Sequence, residues 1–235
     1  MPKKKKEISS SNLIKVKPIT EGQKTVFETW KQGKNQFLFG CAGTGKTFVS
    51  LYLALQDVMN LQTKYDKVIL VRSLIPTREI GFLPGDEEDK AALYQVPYQN
   101  MVKFMFEQPN EQSFNMLYDK LKNQGSLYFL STSFLRGLTF DNSIIIVDEG
   151  QNLNFHELDT ITTRVGQDSK IIYCGDFSQT DLMKQNEKNG LHDFLRILEE
   201  MQEFNCVEFN IGDIVRSGFV KNYLIQKTKL GMGME

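Results

Sequence analysis

Short runs of apolar residues recur along this chain, and the segments between them carry apolar residues every three or four positions. Each run is apolar throughout instead of alternating with polar residues, which is typical of strands buried on both faces of a sheet. Such strands, separated by helices, predict an α/β fold with a mostly parallel sheet that helices cover on both faces. The six predicted strands are the run beginning at Gln36 and the ranges Lys67–Val71, Leu127–Leu130, Ile144–Val147, Lys170–Cys174 and Cys206–Asn210.

Helical patterns occupy most of the segments between these runs. Pro18–Trp30 predicts a helix with Thr20 as its N-cap, and Phe48–Met59 has apolar residues at helical spacing. Glu87–Asn123 predicts further helices whose aromatic residues belong mostly to the core. Arg72–Asp86 is rich in proline and glycine, so we predict a long loop there. This loop follows the carboxyl end of a strand, which is where ligands bind in open α/β sheets.

The chain of 235 residues has room for one sizeable α/β domain. Residues 1–17 are polar and include a run of lysines, so we predict a solvated, flexible tail. Contact between this basic tail and nucleic-acid phosphates is the alternative. Since neither an internal repeat nor a linker follows, we predict that residues 18–235 form a single domain.

Overall composition excludes several classes of protein. The 28 lysine and arginine residues balance 29 aspartate and glutamate residues, so any nucleic-acid site must be a local patch. Cys41, Cys174 and Cys206 form no Cys-x-x-Cys pair, which disfavours a disulfide framework or a zinc site and favours a reducing compartment. The apolar runs are too short to span a bilayer, so we expect a soluble, cytoplasmic protein without a membrane partner.

A glycine-rich turn follows the first predicted strand and precedes a helical pattern. Its sequence, Gly40-Cys41-Ala42-Gly43-Thr44-Gly45-Lys46-Thr47, is the phosphate-binding loop pattern. The glycines allow successive N–H groups to point at phosphates, and the positive end of the next helix adds to them. In this pattern Lys46 reaches the β and γ phosphates, and Thr47 offers its hydroxyl to magnesium. The alternative, a glycine-rich turn with an incidental lysine, leaves the full motif and its flanks unexplained.

Two carboxylates, Asp148 and Glu149, end the apolar strand Ile144–Val147. In a phosphate-loop protein the first carboxylate holds magnesium, and the second can activate the water that attacks the γ phosphate. We therefore predict that Asp148 is a metal ligand and Glu149 is the catalytic base. Taken alone, an acidic pair after a strand is equally consistent with a helix N-terminal cap. The phosphate loop upstream favours catalysis.

Two glutamines are further candidates. Gln179 closes Gly175-Asp176-Phe-Ser-Gln179 after the next strand, where a polar residue can contact the γ phosphate and report its presence. Asp176 would then orient the site, and a plain Gly-Asp turn is the alternative. Gln23 has two competing interpretations, since its amide either pairs with adenine and selects ATP over GTP or completes a capping box.

The order of these features resembles the first RecA-like domain of superfamily 1 helicases. More closely, it resembles the PhoH family, the phosphate-starvation-inducible ATPases, in the short form carried by phages. Residues 79–86 match the family's Gly-Phe-Leu-Pro-Gly signature, and Arg136-Gly137-x-Thr139 and Asp213-Ile-Val-Arg216-Ser match as well. The resemblance covers about residues 18–225. Gly150 replaces the usual alanine, and the family's proline and tyrosine pattern is kept only loosely at Tyr94, Pro97 and Tyr98.

The resemblance implies a RecA-like fold, hydrolysis of ATP with Mg²⁺, and a link to RNA metabolism that includes helicase-like activity. Such helicases close two RecA-like domains around ATP, whereas this chain holds one, so the resemblance also implies a homo-oligomer, by analogy a hexameric ring. Arg216 and Arg136 are candidates to neutralise the transferring phosphoryl group, in cis or from a neighbouring subunit, with a structural ion pair as the alternative. Arg72 and Arg78 lie where such helicases grip single-stranded nucleic acid.

The sequence is also consistent with two other functions. A phosphate-loop kinase would transfer the phosphoryl group to a small molecule, and it has no reason to keep a water-activating Glu149. A nucleotide-switched binding module would bind nucleotide tightly without turnover.

Overall fold

The computed structural model describes residues 7–73, 87–176 and 185–230. Among the helices of these ranges, none combines the length and hydrophobicity needed to cross a membrane. The strands are β1 Asn35–Gly40, β2 Lys67–Arg72, β3 Leu127–Ser131, β4 Ser143–Val147, β5 Lys170–Cys174 and β6 Phe204–Phe209. The helices are α1 Glu21–Trp30, α2 Lys46–Val58, α3 Glu87–Met105, α4 Glu111–Asn123, α5 Phe155–Thr162, α6 Gln185–Glu200 and α7 Gly218–Lys229.

These strands form one sheet in the order β3-β2-β4-β5-β1-β6. Each pairing in the sheet is parallel, so the prediction of a mostly parallel sheet is confirmed. β1 lies between β5 and β6, with Phe37 level with both Tyr173 and Cys206. Because the strands run in one direction, the residues that follow β1, β2, β4 and β5 gather at a single edge.

Helices cover both faces of the sheet, as the apolar runs predict. Successive strand residues point to opposite faces, so Ile144 and Ile146 join one apolar cluster while Ile145 and Val147 join the other. Helices α1 to α4 pack on the first face, and α5 and α6 pack on the second. Burial on both sides explains why the strand sequences are apolar throughout. The α/β fold class is therefore confirmed.

The chain before α1 packs against the domain. Ile8 and Leu13 are buried in the larger apolar cluster, and the Val16 N–H donates a hydrogen bond of 3.3 Å to the Tyr52 hydroxyl. The prediction of a solvated, flexible tail is therefore wrong for residues 7–17, because a few apolar side chains among polar ones are enough to anchor this segment. The lysine run ahead of it lies outside the described residues.

Several element boundaries differ from the predicted ones, and two of the differences have a local cause. Helix α2 begins at Lys46 instead of Phe48, because Gly45 is its N-cap and takes a left-handed conformation with φ of +86°. Strand β6 spans Phe204–Phe209 instead of beginning at Cys206. It lies at the edge of the sheet, and its burial alternates along the strand, so its apolar signal is weaker than that of the central strands.

Candidate functional site

The turn between β1 and α2 is held by backbone contacts to Phe209, in the neighbouring strand β6, and to the segment after it. Gly40 has φ of +105°, and a Cβ at this position would lie 2.2 Å from the Phe209 carbonyl oxygen, so only glycine fits. The Cys41 N–H donates to that same oxygen at 2.8 Å, and the Val215 N–H donates to the Gly43 carbonyl at 3.0 Å. The positive end of the α2 dipole faces the turn. The strand, turn and helix that the phosphate-loop motif requires are all present.

Lys46 is buried within this turn, with 8% of its surface exposed. Its Nζ donates hydrogen bonds to the carbonyl oxygens of Gly40 and Cys41, each at 2.8 Å. Burial lowers the pKa of Lys46, and the nearby carboxylates of Asp176 and Glu149 oppose that shift. The ammonium group therefore lies inside the loop and is held by backbone carbonyls instead of a carboxylate, as a phosphate-binding lysine requires.

The Asp148 carboxylate, directly after β4, connects the loop to two further elements. Its Oδ1 accepts a hydrogen bond of 2.6 Å from the Thr47 hydroxyl, and its Oδ2 accepts one of 2.7 Å from the Tyr98 hydroxyl on α3. Tyr98 also lies close to Arg72, the last residue of β2, which lines the same cavity. Burial raises the pKa of Tyr98, Asp148 raises it further, and Arg72 opposes the shift. The Tyr98 hydroxyl therefore keeps its proton and shares it with Asp148 in a hydrogen bond.

Glu149 has a left-handed backbone conformation, with φ of +52°, which is uncommon for a residue with a side chain. Its carboxylate accepts a hydrogen bond of 2.6 Å from Gln151 Nε2. The Gln151 Oε1 in turn accepts one of 3.1 Å from the Asp176 N–H. Gln151 thus links the ends of β4 and β5, and it orients the predicted base.

Gln23 fixes the phosphate loop to α1. Its Nε2 donates to the Thr44 carbonyl at 3.0 Å, and its Oε1 accepts from the Ile19 N–H at 3.0 Å. The Oε1 atom accepts from the N–H of Ile19, the residue before the N-cap Thr20. In a capping box it would accept from the N–H of Thr20 itself, so the observed contact differs by one residue. The amide nitrogen and oxygen each keep one further hydrogen-bonding position by valence. Pairing of Gln23 with adenine stays a prediction.

The candidate arginines lie in different places. Arg216 packs against the loop, because its Cγ and Nε lie 3.1 Å and 3.2 Å from where a Cβ on Gly43 would be. Arg72 is half-buried in the same cavity, with its guanidinium 5.6 Å from the centroid of the Tyr94 ring. Arg136 is exposed and does not line this cavity. Two candidates lie outside the described residues: Gln179 and Arg78.

These groups line a cavity of about 990 Å³ at the carboxyl edge of the sheet. One end is polar and contains the loop, the strand-end carboxylates and Arg216. The other end is apolar and is formed by the segment before α1 together with α2 and α3. A cavity of this size with one polar and one apolar end fits a ligand that joins an anionic group to a flat ring. The apolar wall consists of Val16, Ile19, Phe48, Pro97, Met101 and Phe104.

The oxygen donors at the polar end fit a hard divalent cation. The Thr47 hydroxyl and the Asp148 carboxylate are adjacent, and Mg²⁺ is commonly held by one or two protein oxygens together with substrate phosphates. Within residues 7–73, 87–176 and 185–230, no group of three or more His, Cys, Asp or Glu side chains could hold a metal. A cation here would therefore complete its coordination with phosphate and water oxygens.

Two residues of this site have no role in the sequence-based predictions. Gln151 lies within the motif that begins at Asp148, so its position was a usable signal. Tyr98 belongs to the loosely kept proline and tyrosine pattern, but that pattern does not predict its contact with Asp148, which lies 50 positions away. Arg72 is predicted as a nucleic-acid contact, and the structure brings it beside Tyr98 at the cavity.

Comparison with known proteins identifies the family. The model of the family described as "PhoH-like protein" matches residues 15–226. A PhoH-like protein of Synechocystis is 34% identical over 79% of this chain and 54% of its own length, and one of Bacillus subtilis is 31% identical over 88% and 61%. The chain thus spans between about half and three fifths of the length of these curated relatives.

The fold is also similar to a solved structure of the large terminase from a thermophilic bacteriophage, in complex with ADP. The TM-score is 0.49 at 14% identity, and the match covers 88% of this chain and 49% of the terminase. This likeness is too distant to bear on function. The family match over most of the chain, together with relatives above 30% identity, shows that the chain belongs to the PhoH family.

Proposed function

We propose that this protein binds ATP with Mg²⁺ and hydrolyses it to ADP and phosphate, and that single-stranded RNA modulates this turnover. The observation that carries the proposal is the 2.6 Å contact between Thr47 and Asp148, which joins the phosphate loop to the end of β4. Lys46 and Glu149 line the same cavity. Phosphate binding, cation binding and water activation thus have candidate groups in one place.

In this proposal the loop N–H groups, the α2 dipole and Lys46 bind the phosphates. Thr47 and Asp148 would hold Mg²⁺, which supplies charge neutralisation on the phosphate oxygens. Glu149 takes a proton from the water that attacks the γ phosphorus. An oxygen–phosphorus bond forms to that water, the bond to the bridging oxygen breaks, and ADP leaves with the electron pair of that bond. Gln151 holds the Glu149 carboxylate for this transfer.

The apolar end of the cavity supports a nucleotide over a simple polyphosphate. Phe48 and Phe104 contact each other edge to face, with ring centroids 5.8 Å apart, and they border the space that a base would enter. The segment before α1 forms the opposite wall, and its Ile14 N–H is anchored to the Met105 carbonyl at 2.8 Å. Gln23 remains the candidate for selecting adenine through its further hydrogen-bonding positions.

Arg216 is the candidate that neutralises the transferring phosphoryl group in cis, because it already packs on Gly43 of the loop. Arg136 is exposed and outside the cavity, so it would act only from a neighbouring copy in a homo-oligomer. A hexameric ring is the assembly proposed by family analogy. For RNA, Arg78 stays a proposed contact.

The first test is phosphate release from ATP by wild type and by Glu149→Gln. Wild type should release phosphate, and loss of the base should reduce turnover by about 10² to 10⁴-fold without abolishing nucleotide binding. Glu208→Gln, which changes an exposed carboxylate on β6, is the matched control and should turn over normally. A phosphorylated small molecule instead of free phosphate would indicate a kinase, and tight binding without turnover would indicate a switch.

The second test adds single-stranded RNA to the same assay. We expect RNA to raise the rate of phosphate release, and Arg78→Gln to weaken this stimulation without changing the basal rate. If RNA neither binds nor alters turnover, the RNA part of the proposal is rejected while the ATPase part stands.

A further inference from the structure

The Tyr98 hydroxyl lies in a part of the fold where burial alone would favour phenylalanine. Tyr98 has 2% of its surface exposed, and its ring packs against Phe129 with centroids 5.7 Å apart. A phenylalanine would fill this space equally well. A buried hydroxyl is costly unless it is hydrogen-bonded, so its presence is explained by its polar partners.

The hydroxyl donates to Asp148 Oδ2 at 2.7 Å. The Arg72 side chain lines the same cavity, so a cation and a carboxylate both lie near this hydroxyl. The Tyr98 side chain thus joins α3 to the end of β4.

The same contact divides the two oxygens of Asp148 between different partners. Oδ2 is held by Tyr98, whereas Oδ1 lies with the Thr47 hydroxyl. Fixing one oxygen of a carboxylate sets the direction of the other. The proposed function assigns the cation to the Thr47 hydroxyl and Asp148 Oδ1. The direction of Oδ1 is therefore set in part by Tyr98 on α3.

We propose that Tyr98 is a positioning residue, which orients Asp148 for binding of a divalent cation with nucleotide. This inference rests on the proposed function, because it assigns the cation to Thr47 and Asp148. Hydrogen-bond partners of metal-binding carboxylates typically affect metal affinity by about 10 to 100-fold when removed. Tyr98→Phe removes only the hydroxyl and keeps the ring.

The test measures cation binding directly. Mn²⁺ is titrated into wild type and Tyr98→Phe in the presence of a non-hydrolysable ATP analogue, and free Mn²⁺ is followed by electron paramagnetic resonance. We expect the dissociation constant for Mn²⁺ to rise about 10-fold or more in Tyr98→Phe. Binding of the analogue without metal should stay within about twofold, because Tyr98 acts through Asp148. In the turnover assay, the Mg²⁺ concentration for half-maximal rate should rise as well.

Two further variants separate positioning from general packing. Tyr118→Phe removes another buried tyrosine hydroxyl, on α4 and outside the cavity, and should bind Mn²⁺ like wild type. In an Asp148→Asn background, Tyr98→Phe should cause no further loss of Mn²⁺ affinity. An unchanged Mn²⁺ affinity in Tyr98→Phe, with normal binding by wild type, overturns this inference and leaves the proposed function intact. Failure of wild type to bind Mn²⁺ with the analogue overturns both.

Discussion

Two lysines are buried among the described residues, and they lie at opposite ends of the sheet. Lys46 follows β1 at the carboxyl edge, while Lys170 begins β5 at the amino edge and has 2% of its surface exposed. Burial lowers the pKa of both, and that of Lys170 to about 8. Both also donate to backbone carbonyls, Lys46 to Gly40 and Cys41 and Lys170 to Trp30 at 3.3 Å.

The surroundings of the two ammonium groups differ. Lys46 borders an open cavity that also holds carboxylates and Arg216. Lys170 is enclosed by aromatic rings, with its Nζ 4.1 Å from the ring centroid of Trp30 and 5.7 Å from that of Tyr65. A buried charge with a lowered pKa is therefore not by itself a sign of function. The open cavity and the convergent polar groups distinguish Lys46.

Replacing each lysine with methionine should give the largest difference in the rate of ATP hydrolysis between the two positions. Lys46→Met should lower the rate of ATP hydrolysis by about a thousandfold or more, because the phosphates lose their buried counter-charge. Lys170→Met is the matched control and should stay within about twofold of wild type, because it lies at the other edge of the sheet. Phosphate release measures both. An equal loss in the two variants would mean that fold disruption, and not phosphate binding, explains the effect of Lys46.

The free energy of unfolding should depend on pH because the pKa of Lys170 is lowered in the folded protein. The unfolded chain keeps the proton on this residue up to its ordinary pKa of 10.5, whereas the folded chain releases it at about 8. The unfolded state thus binds more protons between these values, and the free energy of unfolding rises with pH through that window. Relative to Lys170→Met, wild type should gain up to about 2 kcal/mol between pH 8 and 9.5.

Urea unfolding at several pH values measures this difference. Lys31→Met, which removes an exposed lysine beside Trp30, is the control and should track wild type at every pH. Parallel curves for wild type and Lys170→Met would show that Lys170 keeps an ordinary pKa in the folded protein.

The smallest expected effect concerns Trp30, one of the two aromatic residues beside Lys170. The Trp30 Nε1–H donates to Asp57 Oδ2 at 2.9 Å, and Trp30→Phe removes this bond while keeping a ring beside Lys170. We expect a loss of about 1 to 2 kcal/mol in the free energy of unfolding, because the bond is made to a carboxylate. ATP turnover should not change. A double-mutant cycle with Lys170→Met should give a coupling energy of about 0.5 kcal/mol or more, and strict additivity would exclude a direct interaction.

The sequence predicted those parts of the site that depend on neighbouring residues. The phosphate loop and the acidic pair Asp148-Glu149 are contiguous motifs at strand ends, so their place together at one edge of the sheet could be inferred. The parallel sheet was predictable because its central strands are apolar on both faces.

The parts that were not predictable depend on contacts between distant residues. Tyr98 reaches Asp148 across 50 positions, and Lys170 lies under Trp30, which is 140 positions away. A lysine at the start of a strand carries no local sign of burial. The packing of residues 7–17 likewise has no local signal, because the apolar Ile8 and Leu13 are too few to form a periodic pattern.

The strand order has a consequence for how the site forms during synthesis. β1 ends at Gly40, yet its partners in the sheet are β5 and β6, which begin at Lys170 and Phe204. At about 5 to 20 residues per second, a ribosome needs roughly 6 to 26 seconds to synthesise the chain between Gly40 and Lys170. The loop that follows β1 therefore lacks its contacts with β5 and β6 until those strands have been synthesised. The contacts of β1 and of the turn after it with β5, β6 and Phe209 can therefore form only after these later residues have been synthesised.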